Sequence, residues 1–250
     1  HNTVCVDGIS SYPVMKSNHS FDLLSCFPAS AEPGKAFTSV TYSNLYFREP
    51  ESRADQTRMM SIVTTGAETG YYVDVFRSRK EKGGDKMHDY FYHNLGQTLT
   101  LTAADGSDLN LQPTEELAFA GAHLYAYSYL YDKKVAATNK DVKATFTIDM
   151  KDKDGDDIYM NLWMKGEPDR EVFTALAPMT EGLSRTPNMP YNIKEQPTLT
   201  FVARQHGEAW NRPFVSIYEP STKKEPSAIQ SVSYFDAEGA GLEDFAGICV

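Results

Sequence analysis

The densest group of residues able to contact a ligand lies in the segment Arg204–Phe214. Polar or aromatic side chains occupy every second position of it, namely Arg204, His206, Glu208, Trp210 and Arg212. In an extended strand such positions share one face. An arginine fork pairs with both oxygens of a carboxylate, and a Trp ring offers an apolar face to a sugar. This spacing indicates a surface for an acidic carbohydrate, with Arg204, Trp210 and Arg212 as substrate-binding residues.

A purely structural explanation of the same segment is also open, and it is the one that we favour. Arg204 and Glu208 can pair with each other, and Trp210 can close one end of a packed sheet. Pro213 suits the start of an edge strand, because it donates no ladder hydrogen bond. The two explanations differ in what replacement of Trp210 or Arg212 does, since one predicts lost affinity and the other lost stability.

Other ionisable groups give weaker indications of a metal or catalytic site, and no catalytic residue is assigned. The acidic run 152–157 lacks carboxylates at the first and last positions of a calcium loop, and Asp154-Gly155 is typical of a hairpin turn. His88 and His93 are five residues apart, on opposite faces of a strand, which does not suit one metal ion. Glu219 pairs with no particular Asp as a glycosidase would require. The sequence contains no phosphate-binding loop, nucleophile elbow or dinucleotide fingerprint.

Period-two alternation dominates the chain and predicts the elements that must position these residues. It is clearest where Tyr125, Tyr127, Tyr129 and Tyr131 would share one face of a strand. Further strands are predicted at Phe37–Phe47, Thr57–Thr65, Tyr71–Arg77, Val142–Asp149, Ile158–Met164, Thr198–Arg204 and Phe214–Glu219. Gly83-Gly84, Asp105-Gly106 and Asp154-Gly155 mark turns between them. Strands of this length and spacing predict an all-β antiparallel sandwich with few or no helices.

The organisation along the chain is predicted from the breaks in this pattern. A boundary near Gly106–Pro113 divides the chain into a first β-sheet region, 1–105, and a second one, 106–250, of the same or a closely packed domain. The Pro-containing segment Ala177–Pro197 shows no alternation and predicts one long loop, which is often functional.

Composition narrows the class of protein. The net charge of -10 over 250 residues excludes a general nucleic-acid binder, which needs a basic surface. No apolar run approaches the roughly 20 residues of a membrane span. The chain starts at His1 rather than Met, from which we expect a processed N-terminus and a secreted or periplasmic location. Cys5 and Cys26 are either a disulfide or, as we favour, two buried thiols.

Three segments together resemble a known family. They are His1–Gly8, the pair Gly70–Arg77 and His88–His93, and Arg204–Phe214 with its extension to Pro220. The first two resemble the C-terminal β-sandwich portion of the heparinase II/III-like polysaccharide lyases, which act on heparin, heparan sulfate and alginate. The third is similar to a segment of the alginate-lyase-like members. The resemblance runs from His1 to about Pro220.

The resemblance implies a chemistry and a metal site. Family members join a helical toroid to a β-sandwich and cleave uronic-acid glycans by β-elimination, in which a base takes the C5 proton and an acid assists the leaving oxygen. His1 matches the last ligand of a zinc or other divalent metal site. The toroid and the remaining ligands would lie before His1, so the resemblance implies a chain that is inactive by itself.

Two functions are therefore expected for the chain. In one it is the structural and substrate-lining module of a lyase that acts on an anionic uronic-acid polysaccharide. In the other it is a non-catalytic carbohydrate-binding or surface β-sandwich module that shares only the fold. Because the chain is acidic overall, an anionic glycan requires a local basic patch. The candidates for that patch are Arg53, Arg58, Arg77, Arg79 and Lys80.

Overall fold

The computed structural model of the chain describes residues 2–9, 20–28, 39–118, 127–150, 155–180, 185, 193, 195–236 and 246–250. These residues form sixteen β-strands and a single-turn 3-10 helix at Tyr127–Tyr129. The strands are β1 (Val4–Val6), β2 (Asp22–Phe27), β3 (Val40–Glu49), β4 (Ala54–Thr64), β5 (Gly70–Lys80), β6 (Met87–Asn94), β7 (Thr98–Ala103), β8 (Gln112–Pro113), β9 (Tyr131–Thr138), β10 (Val142–Ile148), β11 (Ile158–Met164), β12 (Arg170–Ala177), β13 (Thr198–His206), β14 (Ala209–Thr222), β15 (Ser233–Phe235) and β16 (Gly247–Cys249).

Fourteen of these strands form two antiparallel sheets, which confirms the predicted all-β sandwich. The first sheet has six strands in the order β1-β6-β13-β12-β9-β8, and the second has eight in the order β2-β3-β4-β5-β14-β11-β10-β7. Strands β15 and β16 form a separate hairpin-like pair. Both large sheets take strands from before and after residue 105, so the predicted division of the chain at that residue does not coincide with the division between sheets.

The main core lies between the two sheets and is built from alternate residues of each strand. Phe201 and Ala203 of β13 face Phe214 of β14 and Phe146 of β10 in this cluster, and all four side chains are buried. Aromatic rings meet edge to face through the layer, as Phe76 and Tyr90 do with centroids 6.4 Å apart. Edge-to-face contacts suit aromatic quadrupoles, so they add geometric specificity to the burial of apolar area.

The outer faces of both sheets are covered as well. Phe91, Phe173 and Val202 point outward from the six-stranded sheet and pack under Leu117 and Tyr127. On the other side of the molecule, the outer face of the eight-stranded sheet packs against the segment that contains Val232 and the β15–β16 pair. Because the central strands are buried on both faces, their sequences lose strict alternation.

Alternation located several strands correctly, but it missed a strand that is buried on both faces. The predicted strands at 142–149, 158–164, 198–204 and 214–219 are confirmed within a few residues. Strands β10 and β11 pair antiparallel, while Asp154 of the predicted turn between them lies outside the described residues. Most of the predicted long loop Ala177–Pro197 lies outside the described residues, and Ala177 itself ends β12. Strand β12 itself escaped prediction, because Val172 and Phe173 are adjacent and both fully buried, so no alternation marks it.

The predicted tyrosine strand is wrong. Tyr127 and Tyr129 lie in the 3-10 turn, and only Tyr131 begins a strand, β9; Tyr125 lies outside the described residues. Tyr127 is 2% exposed whereas Tyr129 and Tyr131 are 56% and 48% exposed, so the rings do not share a face. The physical reason is that the Tyr127 hydroxyl turns inward to donate to the buried carboxylate of Asp89, at 2.7 Å.

The described residues include both cysteines of the possible disulfide. Cys5 is buried in β1 and Cys26 half-buried in β2, and no disulfide joins these two described residues. Among the described residues no helix is long and apolar enough to cross a membrane.

From the position of the inter-sheet core, we expect a buried leucine to contribute far more to the free energy of unfolding than an exposed one. Leu162 is fully buried between the sheets and Leu23 is 59% exposed on β2. Replacing Leu162 with Ala should lower the free energy of unfolding by about 2–5 kcal/mol, because a cavity replaces packed apolar atoms. The same change at Leu23 should cost less than about 0.5 kcal/mol. Urea denaturation of both variants measures this, and equal losses would contradict the assigned core.

Candidate functional site

Two polar assemblies stand out in the sandwich, one on each side of strand β6. The first lies on the outer face of the six-stranded sheet, where Arg204 of β13 is the cross-strand partner of Asp89 of β6. Arg204 Nε lies 2.7 Å from Asp89 Oδ1, and Arg204 Nη2 lies 3.1 Å from Asp89 Oδ2. Both side chains are almost completely buried, with exposed fractions of 7% and 0%. This bidentate pair is the arrangement in which an arginine binds a carboxylate most tightly.

Further contacts saturate the Arg204 guanidinium. Its Nη1 lies 2.6 Å from Glu116 Oε2, and its Cζ lies 5.1 Å from the ring centroid of Phe173. Burial alone would lower the pKa of Arg204, but the hydrogen bond and charge of Asp89 outweigh that effect and raise the pKa. Burial and the Asp89 charge also raise the pKa of Tyr127 well above its usual range. These groups therefore keep fixed protonation states at any ordinary pH.

The second assembly lies at the floor of an open groove of about 680 Å³. The groove runs along the inner face of the eight-stranded sheet. Arg58 of β4 holds Asp74 of β5 bidentately, with Nε–Oδ1 and Nη2–Oδ2 distances of 2.9 and 2.7 Å. Its Nη1 donates to the main-chain oxygen of Asn2, at 3.0 Å. The exposed fractions of Arg58 and Asp74 are 20% and 4%, so this pair reaches solvent through the arginine.

A row of hydroxyl groups continues from this ion pair. Tyr90 of β6 donates to Asp74 Oδ2, at 2.7 Å, and is hydrogen-bonded to the hydroxyl of Tyr218. Ser216 donates to Tyr218 at 3.2 Å. The row links both sheets through buried polar groups, each of which has a partner, as low-dielectric interiors require.

The protonation of these tyrosines limits their chemistry. Burial, and then the charge of Asp74, raises the pKa of Tyr90, while burial and the neighbouring Tyr90 raise that of Tyr218 well above its usual range. Burial raises the pKa of Tyr92 to about 12. A tyrosine that acts as a general base needs a lowered pKa. All three hydroxyls therefore serve as neutral hydrogen-bonding groups rather than as bases.

The substrate-binding residues predicted from the sequence do not share one face. Strand β13 ends at His206, Gly207 adopts a left-handed conformation with φ of 77°, and the chain crosses to the other sheet, where Trp210 and Arg212 belong to β14. The even-position argument fails because it assumed one continuous strand. Arg204 lies on the six-stranded sheet, away from the other two in the sheet order.

The local contacts of these residues also differ from the structural alternative in the sequence. Glu208 accepts hydrogen bonds from the main-chain amides of Trp210 and Asn211, and it is Asp89 and Glu116, not Glu208, that hold Arg204. The guanidinium of Arg79 lies 4.1 Å from the Trp210 ring centroid. Arg212 Nη2 donates to the main-chain oxygen of His206, at 3.1 Å.

The predicted basic patch is spread over different environments. Arg58 faces the groove and pairs with Asp74, whereas Arg79 stacks on Trp210. Arg77 is buried and donates to the main-chain oxygen of Trp210. Lys80 Nζ pairs with Asp7, at 2.8 Å. Much of this positive charge is therefore neutralised or enclosed locally.

The metal prediction depends on a residue that the structure does not describe. His1 lies outside the described residues, and among those that are described no three His, Cys, Asp or Glu side chains converge on a point that could hold a metal ion. His1 as a ligand of zinc or another divalent metal therefore stays a prediction.

The sequence motifs contained only two of the four polar residues that meet at the groove. Asp74 and Tyr90 belong to the two motifs that carried the family resemblance, Gly70–Arg77 and His88–His93. Their partners Arg58 and Tyr218 come from β4 and β14, and only the sheet order brings these four residues together. A search for charged residues at inward positions of predicted strands would have selected Arg58.

Because Arg204 and Asp89 form a buried ion pair, we expect their substitution to have large and non-additive effects on the free energy of unfolding. Arg204→Met leaves the Asp89 carboxylate buried without its cation and should cost about 3–5 kcal/mol of unfolding free energy. Combining it with Asp89→Asn should cost less than the sum of the single losses. Arg79→Met is the control, because its exposed stacking contact is worth about 1 kcal/mol. Additive losses in urea denaturation would show that the pair is not coupled.

A second prediction concerns His93, whose Nδ1 lies 2.8 Å from Thr200 Oγ1. Burial lowers its pKa to about 4 from the model-compound value of 6.5. The unfolded chain then binds more protons than the folded chain between these two values, so stability rises with pH across that window and is fully present above it. His93→Gln should remove about 3 kcal/mol of this pH dependence.

The control for that experiment is His206→Gln, because His206 is a half-exposed histidine, 49% exposed, at the end of β13. Thermal or urea unfolding followed at several pH values between about 4 and 7 compares the two variants with the parent chain. An unchanged slope in His93→Gln would show that His93 titrates normally in the folded state.

Comparison with known proteins identifies a relative among the polysaccharide lyases. No protein-family model matches the chain. Over 196 residues, or 77% of its length, the chain is 33% identical to the endo-acting ulvan lyase of Formosa agariphila, and it spans only 22% of that protein. This similarity supports the polysaccharide-lyase part of the resemblance found in the sequence, but not its narrower heparinase II/III-like assignment. The chain is thus similar to about one fifth of a polysaccharide lyase.

Proposed function

We propose that this chain is the β-sandwich module of a longer lyase that cleaves an anionic uronic-acid polysaccharide, of which ulvan is the first candidate. The similarity to an endo-acting ulvan lyase over 196 residues is the observation that carries the proposal. The narrower relationship to heparinase II/III-like lyases rests on the segments His1–Gly8, Gly70–Arg77 and His88–His93. A secreted or periplasmic location fits a polymeric substrate and belongs to the same proposal.

The role that we assign to the module is to bind the polysaccharide rather than to complete the reaction. β-Elimination needs a group that accepts the C5 proton. The groove tyrosines Tyr90, Tyr92 and Tyr218 have raised pKa values, so they retain their protons and suit hydrogen bonding to sugar hydroxyls. These three tyrosines are therefore not assigned as the base, which we place in the helical toroid that the family resemblance implies.

The groove is the surface that best supports this role. It is open, it lies on the inner face of the larger sheet, and it is lined by aromatic, apolar and hydroxyl-bearing side chains. Ligand sites combine such walls with a few well-placed polar groups. Trp210 and Arg212 stay proposed as additional contacts at the β13–β14 turn. Arg204 stays a predicted contact whose guanidinium is already held by Asp89 and Glu116.

The proposal predicts that binding of the polysaccharide and its cleavage can be measured separately, in the 250-residue chain and in the longer protein. The longer protein that contains this chain should cleave ulvan and produce the ultraviolet absorbance of an unsaturated uronate. The 250-residue chain should bind ulvan, measured by affinity electrophoresis, and produce no steady absorbance. A non-catalytic carbohydrate-binding protein would bind ulvan while the longer protein left it intact. Steady production of the chromophore by the chain alone would contradict the assigned role.

A further inference from the structure

Resting on the proposed function, we infer that the groove binds an uncharged sugar portion of the polysaccharide, through its C–H faces and hydroxyl groups, and not its acidic groups. The inference deepens the assignment of the groove, because it states which part of an anionic polymer the groove holds. It depends on the charge balance of the groove, on its walls and on its floor.

The charge balance is the first support. Among the described residues that line the groove, Arg58 and Asp74 are the charged ones, and they form a bidentate pair. An acidic group of the polymer would have to displace the Asp74 carboxylate from Arg58, or share the arginine with it. The net charge of -10 on the whole chain further disfavours an anion there. Electrostatic complementarity therefore favours a ligand group of zero charge.

The walls are the second support. Met60 and Ile62 of β4 are 41% and 48% exposed, and Tyr72 of β5 is 44% exposed. Ile62 is the cross-strand partner of Tyr72, which in turn pairs with Tyr218 of β14. Large exposed apolar side chains thus form a row over the two neighbouring strands β4 and β5, and this row adjoins the buried ring of Tyr218 on β14. Such patches mark binding surfaces, and an aromatic ring can stack on the C–H face of a pyranose.

The floor is the third support. The ring of Tyr92, from the six-stranded sheet, packs 4.8 Å from that of Tyr218. Neutral phenol groups are both donors and acceptors, which matches the hydroxyl groups of a sugar. The volume of about 680 Å³ falls within the range of small-ligand sites, roughly 300–1,000 Å³. The groove is open rather than enclosed, as a site for the interior of a polymer must be.

The experiment measures binding of the 250-residue chain to two probes, ulvan and carboxyl-reduced ulvan. The inference predicts that both probes bind with dissociation constants within about threefold of each other, and that raising salt from about 0.05 to about 0.5 M changes them little, since screening acts on charged contacts. Tyr72→Ala and Ile62→Ser should each raise the dissociation constants of both probes by about tenfold. Tyr129 is an exposed tyrosine outside the groove lining, so Tyr129→Ala should leave both dissociation constants unchanged.

The possible results separate the inference from the proposed function. Binding of ulvan that is lost on carboxyl reduction, or that falls steeply with salt, overturns the inference and leaves the lyase role intact. Binding of both probes that is unaffected by Tyr72→Ala and Ile62→Ser, in variants with unchanged melting temperatures, shows that the site lies elsewhere and also overturns it. Failure to bind either probe overturns the proposed function together with the inference.

Discussion

The structure depends most on the alternation of side chains along strand β6. Asp89 points to the outer face of its sheet, where it holds Arg204 and Tyr127. Tyr90, the next residue, points inward and reaches Asp74 and Tyr218 of the opposite sheet. Because adjacent residues of a strand face opposite sides, one peptide unit connects two polar assemblies that lie on different surfaces of the six-stranded sheet. The strand register therefore sets the geometry of both assemblies at once.

Burial gives these two assemblies different roles. The Asp89–Arg204 pair is almost completely buried and is hydrogen-bonded to Glu116 and Tyr127, so it forms at a large desolvation cost. The Arg58–Asp74 pair keeps part of its arginine at the surface, and its neighbours Met60, Ile62 and Tyr72 are exposed. The same pairing of charges thus produces a rigid scaffold on one face and a neutral, partly apolar groove on the other.

The sequence predicted the fold well, because alternation is a local property that most strands display. The sequence-based prediction failed where the same local pattern is compatible with more than one three-dimensional arrangement. The tyrosines at 127, 129 and 131 alternate, yet a 3-10 turn places them differently, since the hydrogen bond to Asp89 depends on a residue far away in sequence. The even-position group around Trp210 was broken by the turn at Gly207. The groove could not be predicted, because Arg58, Asp74, Tyr90 and Tyr218 meet only through the order of the strands.

The link between β13 and β14 has a consequence for how such a protein can vary in length. Only Gly207 and Glu208 separate two strands that belong to different sheets. Strand β14 is paired on both sides, with β5 and β11, over Ser216–Tyr218, so adding or deleting one residue within that segment would turn the side chains beyond it to the opposite face. The connection between β12 and β13, in contrast, spans about twenty residues, and loop closure changes slowly with length. Insertions, fused tags and natural length differences should therefore collect between β12 and β13, while the doubly paired part of β14 keeps a fixed number of residues.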